Sequence, residues 1–156
     1  MRLEKYRAED RELYEELVFN EEIMSMNNGR VFSKEEADMV FRYILDANSG
    51  NGLTGYYKVF TDEYIGLGAL TFNEEECALE IEYMLLPEYW GLGYGSELAA
   101  ILTEIAGDSG LADTVNAITD PDNERSGKIL LKNGFRLIKN YINEDGEPDV
   151  LYSKEL

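Results

Sequence analysis

The chain has 156 residues, 44% of them hydrophobic and 29% charged, and its 32 acidic and 14 basic side chains leave a formal charge of −18. That length fits one ordinary domain, residues 1–156, and the acidity repels nucleic acid in the far field while favouring cationic small molecules or basic peptide ends; a solvated acidic surface accounts for it equally well. A single cysteine, Cys77, and the absence of histidine exclude an intramolecular disulfide, a multi-cysteine zinc site and the commonest general base, so proton transfer falls to carboxylates, Tyr, Lys, Ser or water.

In chain order, Leu3 to Arg7 predicts a short strand. Leu13, Leu17 and Val18 follow at helical spacing up to the polar break Asn27-Asn28-Gly29, predicting one helix over that stretch. Ser33 with Glu36 three residues on forms a capping box, and Ala37, Val40, Phe41, Ile44 and Leu45 make the apolar stripe of a second helix. Tyr56 to Phe60 and Tyr64 to Thr71, separated by Thr61-Asp62-Glu63, predict an antiparallel hairpin, and Ala78 to Leu86 extends it to a meander. Leu98, Ile101, Leu102, Ile105 and Ala106 mark a third helix, Thr114 to Thr119 a strand, and Asn123 to Asn133 a fourth helix closed by Gly134. Phe135 to Asn140 and Val150 to Ser153, joined through Asp145-Gly146, predict a terminal hairpin. The order βααββ, βαβ, αββ points to an α/β (α+β) fold with a mixed sheet, antiparallel at the front and crossing over once. No run reaches the roughly 18 apolar residues of a membrane span, and Met1 to Arg7 lacks an apolar signal core, so a cytoplasmic protein with no membrane partner is expected.

Chemistry concentrates where the third strand of the meander runs into Trp90-Gly91-Leu92-Gly93-Tyr94-Gly95-Ser96. Glycines at alternate positions free consecutive amide N–H groups to face one anion at the positive end of a helix, and a diphosphate is the natural ligand. A tight turn needing glycine only for positive φ fits the same residues. The spacing is GxGxG rather than GxGxxG and no second mononucleotide half follows, which argues against a dinucleotide fold despite Asp113; Gly127-Lys128-Ile129 fails as a Walker loop. Glu80 and Glu82 share one strand face by alternation and are candidate bases, or an exposed pair. Arg125, Lys128 and Lys132 share one helix face, as a solvated basic strip or a contact for a ligand phosphate. Neither Glu74-Glu75-Glu76 nor Asn143 to Asp149 matches a calcium loop, so no metal is expected, and Cys77 has no neighbour to activate it.

The segment from Glu80 through Pro87-Glu88-Tyr89-Trp90-Gly91 to Leu98 resembles the acetyl-CoA motif of GNAT-family N-acetyltransferases, and Asn123-Glu124-Arg125-Ser126 through Asn133-Gly134-Phe135 resembles the family's next motif. The form of both motifs is similar to the branch that acetylates N-termini of ribosomal proteins. The likeness covers about Leu79 to Phe135 and departs from the family at Trp90, where many members have Gln or Arg, and at Leu130, where many have a catalytic Tyr. It implies a mainly antiparallel sheet of six to seven strands flanked by four helices, with acetyl-CoA as cosubstrate. The implied roles are backbone groups near Met84, Leu85 and Leu86 pairing with pantetheine and polarising the thioester, and Trp90, Gly91, Leu92, Gly93, Tyr94, Gly95 and Ser96 cradling the pyrophosphate. Asn123 is implied beside pantetheine, Ser126 as acid toward the thiolate in place of the missing Tyr, Glu82 or Glu80 as base, and Lys128 with Arg125 and Lys132 near a CoA phosphate. Tyr83, on the other face of its strand, is read as packing. The implied reaction is direct attack by an amine acceptor bound by the first two helices and the terminal hairpin, with a non-catalytic CoA-binding domain as the alternative; the residues leave homodimerisation open.

Overall fold

A computed structural model describes residues 1–156. Its elements are β1 (Arg2–Lys5), α1 (Arg11–Val18), α2 (Glu21–Ser25), α3 (Lys34–Ala47), β2 (Gly55–Phe60), β3 (Tyr64–Asn73), β4 (Ala78–Leu85), α4 (Tyr94–Ser109), β5 (Thr114–Thr119), α5 (Glu124–Lys132), β6 (Arg136–Ile142) and β7 (Pro148–Glu155). The seven strands form one sheet in the order β1-β2-β3-β4-β5-β7-β6. Every neighbouring pair is antiparallel except β4 and β5.

The predicted strands and their mixed pairing are present, and the helix count rises from four to five. The first predicted helix divides because Asn20 leaves helical geometry and its side chain accepts the Ile23 N–H at 3.2 Å, capping α2 afresh. At α3 the expected capping box is complete, with Ser33 Oγ accepting from Glu36 N–H and Glu36 Oε1 accepting from Ser33 N–H at 3.0 Å. The terminal hairpin folds back so that β7, not β6, lies against β5, pairing Thr114 with Glu155 through Thr119 with Val150. That arrangement leaves β6 as the sheet edge, with most of its residues exposed.

The sheet separates two apolar cores. Under α4 and α5 lie Leu79, Ile81, Leu85, Leu98, Leu102, Val115, Leu130 and Phe135; under α1, α2 and α3 lie Tyr14, Leu17, Phe41, Ile44, Leu67, Ala69, Met84 and Leu86. Strand alternation makes β4 the partition, sending its odd-numbered side chains to the first core and its even-numbered ones to the second. Leu130 is fully buried in the first core; truncating it to Ala would cost about 2–5 kcal/mol.

β4 pairs with β5 only at Leu79 with Val115 and Glu80 with Asn116. β4 then continues to Leu85 and β5 to Thr119, so the strands part and the sheet opens along the second half of β4.

Candidate active site

Which backbone groups face that opening follows from register. Leu86 N–H donates to Ile65 O at 2.9 Å, and the antiparallel register pairs Gly66 with Leu85, Leu67 with Met84 and Ala69 with Glu82. Alternation of hydrogen-bonding sides therefore turns Leu86, Met84 and Glu82 toward β3, and turns Leu85, Tyr83 and Ile81 toward the gap. Of the three backbone positions expected there, only Leu85 faces the opening. Met84 and Leu86 are turned away from it, and Tyr83 and Ile81 stand where they were expected. The Leu85 carbonyl is already engaged, accepting the Trp90 indole N–H at 2.8 Å.

At the end of β4 the glycine loop does two different jobs. Gly91 and Gly93 have φ of +73° and +89°, a left-handed conformation that other residues adopt at a cost, and a Cβ at either would project into open space. Gly93 caps α4, whose N-terminus receives no side-chain cap, and none of the N–H groups of Gly91, Leu92, Gly93, Tyr94, Gly95 and Ser96 has an acceptor within the protein. These donors sit at the positive end of a sixteen-residue helix, an anion cradle made of backbone. Gly95 is different, since a Cβ there would lie 2.9 Å from Ile129 Cδ1, so its missing side chain lets α4 meet α5. Asn133 Nδ2 reinforces that contact by donating to Ser96 Oγ at 3.0 Å.

Trp90 packs against both cores, and the Arg125 guanidinium lies 4.4 Å from its ring centroid. The indole thus ties the end of β4 to the start of α5 and brings a cation beside the loop of a strongly acidic chain. Lys128 and Lys132 are exposed. Lys128 meets only Glu124, at 3.7 Å, and it borders a cavity of about 230 Å³ that also includes Asp120, Asn123 and Tyr152. A larger cavity of about 440 Å³, lined by Glu4, Lys5, Arg7, Glu9 and Lys58, lies at the β1 side of the sheet, far from the opening between β4 and β5.

Ser126 stands in the first turn of α5, where Asn123 Oδ1 accepts its N–H at 3.2 Å and caps the helix. The Ser126 hydroxyl is buried and lies 2.9 Å from the Tyr83 hydroxyl. Burial pushes the Tyr83 phenol up to about 12, the bond to Ser126 pulling the other way and Tyr152 adding to the rise. Tyr83 is the site residue that sequence reasoning set aside. The available signal was its place on the α5 face of β4, which the alternation already assigned.

Glu82 lies on the opposite face. Tyr56, Ala69 and Glu82 are cross-strand partners in one row over β2, β3 and β4, a small alanine between two larger side chains. Glu82 is exposed there, and it has no hydrogen-bonding or ion-pair partner. Desolvation first and the charge of Glu80 second raise its carboxyl above the ordinary glutamate range. Glu80 is raised by burial and by Glu76, with a hydrogen bond to Asn73 opposing. Burial and the nearby Glu82 also raise the Tyr56 phenol, and Tyr43 meets the Tyr56 ring edge-on at 6.2 Å while staying 60% exposed.

Adjacent residues of one strand, Glu82 and Tyr83, thus place a carboxylate and a hydroxyl pair on opposite faces beside the same opening, next to an anion-binding loop. Fold and site together define a domain whose sheet splays between β4 and β5 beside an uncapped helix N-terminus. The chain belongs to the acetyltransferase (GNAT) domain family, whose sequence profile matches residues 1–136.

An uncharacterised N-acetyltransferase of Bacillus subtilis, YoaA, is 29% identical over 92 residues, which are 56% of this chain and 52% of that protein, so the chain matches about half of its relative's length. Among solved structures, spermidine N-acetyltransferase from Vibrio cholerae in complex with CoA and spermine superposes with a TM-score of 0.79 at 15% identity, covering 99% of this chain and 94% of that one. An acetyltransferase from Salmonella typhimurium that modifies the N-terminal serine of a 50S ribosomal subunit protein gives 0.78 at 20% identity, covering 99% and 94%.

Proposed function

We propose that this chain is an N-acetyltransferase that moves the acetyl group of acetyl-CoA to a primary amine by direct attack. The observation that carries the reading is the opposition of Glu82 to the Tyr83–Ser126 pair across β4, at the mouth of the opening and beside the uncapped α4 N-terminus. The donor fits the residues present. The N–H groups of Gly91 to Ser96 match a pyrophosphate, Arg125 adds a cation, and the gap-facing backbone of Ile81, Tyr83 and Leu85 matches the amide-bearing pantetheine arm. Lys128 and Lys132 remain available to an outer phosphate, and Asn123 serves first as a helix cap.

Acetyl-CoA supplies an activated acyl group on a thiol of pKa about 8.5 by analogy with cysteine, so departure of sulfur needs only modest help. Ser126 supplies that help as a hydrogen-bond donor. An attacking amine must first lose a proton, and Glu82 accepts it directly or through water, its raised pKa making it a stronger base than an ordinary glutamate. Glu80 acts at one remove, since its charge is part of what raises Glu82.

The acceptor belongs to the class of small cationic amines or peptide N-termini. Glu80 and Glu82 offer negative charge, and Tyr43 with Tyr56 offers aromatic walls, on the α1 to α3 side of β4. The single-domain and cytoplasmic readings stay part of the proposal; a lone, exposed Cys77 suits a reducing compartment, and no helix is long and apolar enough to cross a membrane. The test is release of free thiol from acetyl-CoA with a panel of polyamines, aminoglycosides, amino acids and peptides, alongside calorimetric binding of CoA. Turnover with at least one amine is expected. Tight CoA binding without turnover across the panel would overturn catalysis and leave a CoA-binding domain.

A further inference from the structure

We propose that Tyr83 is a positioning residue for thiolate departure: its hydroxyl donates to Ser126 Oγ, leaving the single Ser126 proton free to point at the sulfur. This rests on the acetyl-transfer reading.

A hydroxyl in a helix ordinarily donates back to a carbonyl three or four residues earlier. Thr103 does so to Ala99 O at 2.7 Å, Ser109 to Ala106 O at 2.7 Å and Ser25 to Glu22 O at 3.0 Å. Ser126 stands in the first turn of α5 and makes no such bond, as Ser96 in the first turn of α4 makes none; Ser96 accepts from Asn133 on the neighbouring helix, and the Ser126 hydroxyl pairs with Tyr83 from another strand at 2.9 Å. A serine hydroxyl has one proton and two acceptor lone pairs. If Ser126 donated to Tyr83 it would have nothing left for a ligand, whereas accepting from Tyr83 directs its own proton outward.

Tyr83 stays protonated in this role. With the phenol at about 12 and a thiol at about 8.5, full proton transfer to sulfur is uphill by roughly three orders of magnitude. The N–C bond forms, the C–S bond breaks with its electron pair leaving on sulfur, and the two hydrogen bonds share that charge. The proton that finally reaches sulfur is the one nitrogen loses, carried by Glu82 and water.

The experiment follows the ionisation of the thiol of bound CoA by its ultraviolet thiolate absorbance against pH, with steady-state kinetics, for wild type, Tyr83→Phe, Ser126→Ala and the double variant. Tyr83→Phe is expected to move thiol ionisation upward by about half a unit or more and to lower kcat about tenfold, with KM for acetyl-CoA within about twofold. Adding it to Ser126→Ala should change nothing further. Ionisation unmoved by Tyr83→Phe, or an undiminished penalty in the Ser126→Ala background, overturns the proposal. The absorbance titration needs no turnover, so it separates this role from the transfer reading.

Discussion

The two faces of β4 are built by different means. Toward α4 and α5, the groups proposed to bind the donor come from local backbone geometry, namely the left-handed glycines, the free N–H groups of Gly91 to Ser96 and the capped turn that presents Ser126. Toward α1, α2 and α3 they come from side chains of separate strands and helices, with Tyr56, Ala69 and Glu82 in one cross-strand row and Tyr43 arriving from α3. A backbone-made site demands glycine, Asn and Ser at set spacing and tolerates little else. A side-chain-made site needs only suitable groups at positions that the register brings together.

The sharpest way to break this division is Glu82→Gln. It should lower kcat by about 10²–10⁴-fold while leaving CoA affinity unchanged. Because the folded carboxyl is raised above 4.5, its ionisation costs stability, and the cost grows as pH climbs through that value and is complete above the folded pKa. The variant should therefore melt higher than wild type at neutral pH, and the gap should close on acidification. For the same reason the acid limb of kcat should lie above the ordinary glutamate range. Unchanged turnover in this variant would move the base elsewhere.

Gly93→Ala addresses the opposite face. The methyl meets no atom in the protein but imposes φ of +89° on an L-residue, a strain of about 1–2 kcal/mol. It also intrudes on the anion cradle, so CoA dissociation should rise about tenfold by calorimetry while the amine KM holds. A smaller effect is expected from Tyr43→Ala, which should raise the amine KM about threefold and leave CoA binding alone. The least concerns the scaffold under the acceptor side. Glu36 is pulled down to about 2 by Arg30 and then by the Ser33 N–H, so its stabilising contribution is present above 4.5 and disappears as pH falls through 2. Glu36→Gln should lower Tm slightly at neutral pH and not at all in strong acid.

Much of this was legible in residue order. The α3 capping box, the meander, the crossover and the loop all follow from local pattern. The split of the first helix was missed because an Asn within an apolar periodicity does not announce that it will cap a new helix. Among the backbone contacts, Met84 and Leu86 were expected at the opening because which side a strand's N–H groups face depends on its partner's register, and register is a tertiary property. Tyr83 was read as packing for a related reason. Its partner Ser126 is 43 residues away, and no spacing rule links a strand to a helix beyond the next crossover.

By itself, then, the sequence determined the loop and the helix ends proposed to hold the donor, since helix caps, left-handed turns and an exposed helix terminus are made within a few consecutive residues. Only the tertiary structure decided that β4 and β5 part after two residue pairs, that Tyr56, Ala69 and Glu82 share one cross-strand row, and that Tyr83 reaches Ser126. Those depend on which segments pack against each other, and burial and desolvation exist only once they have.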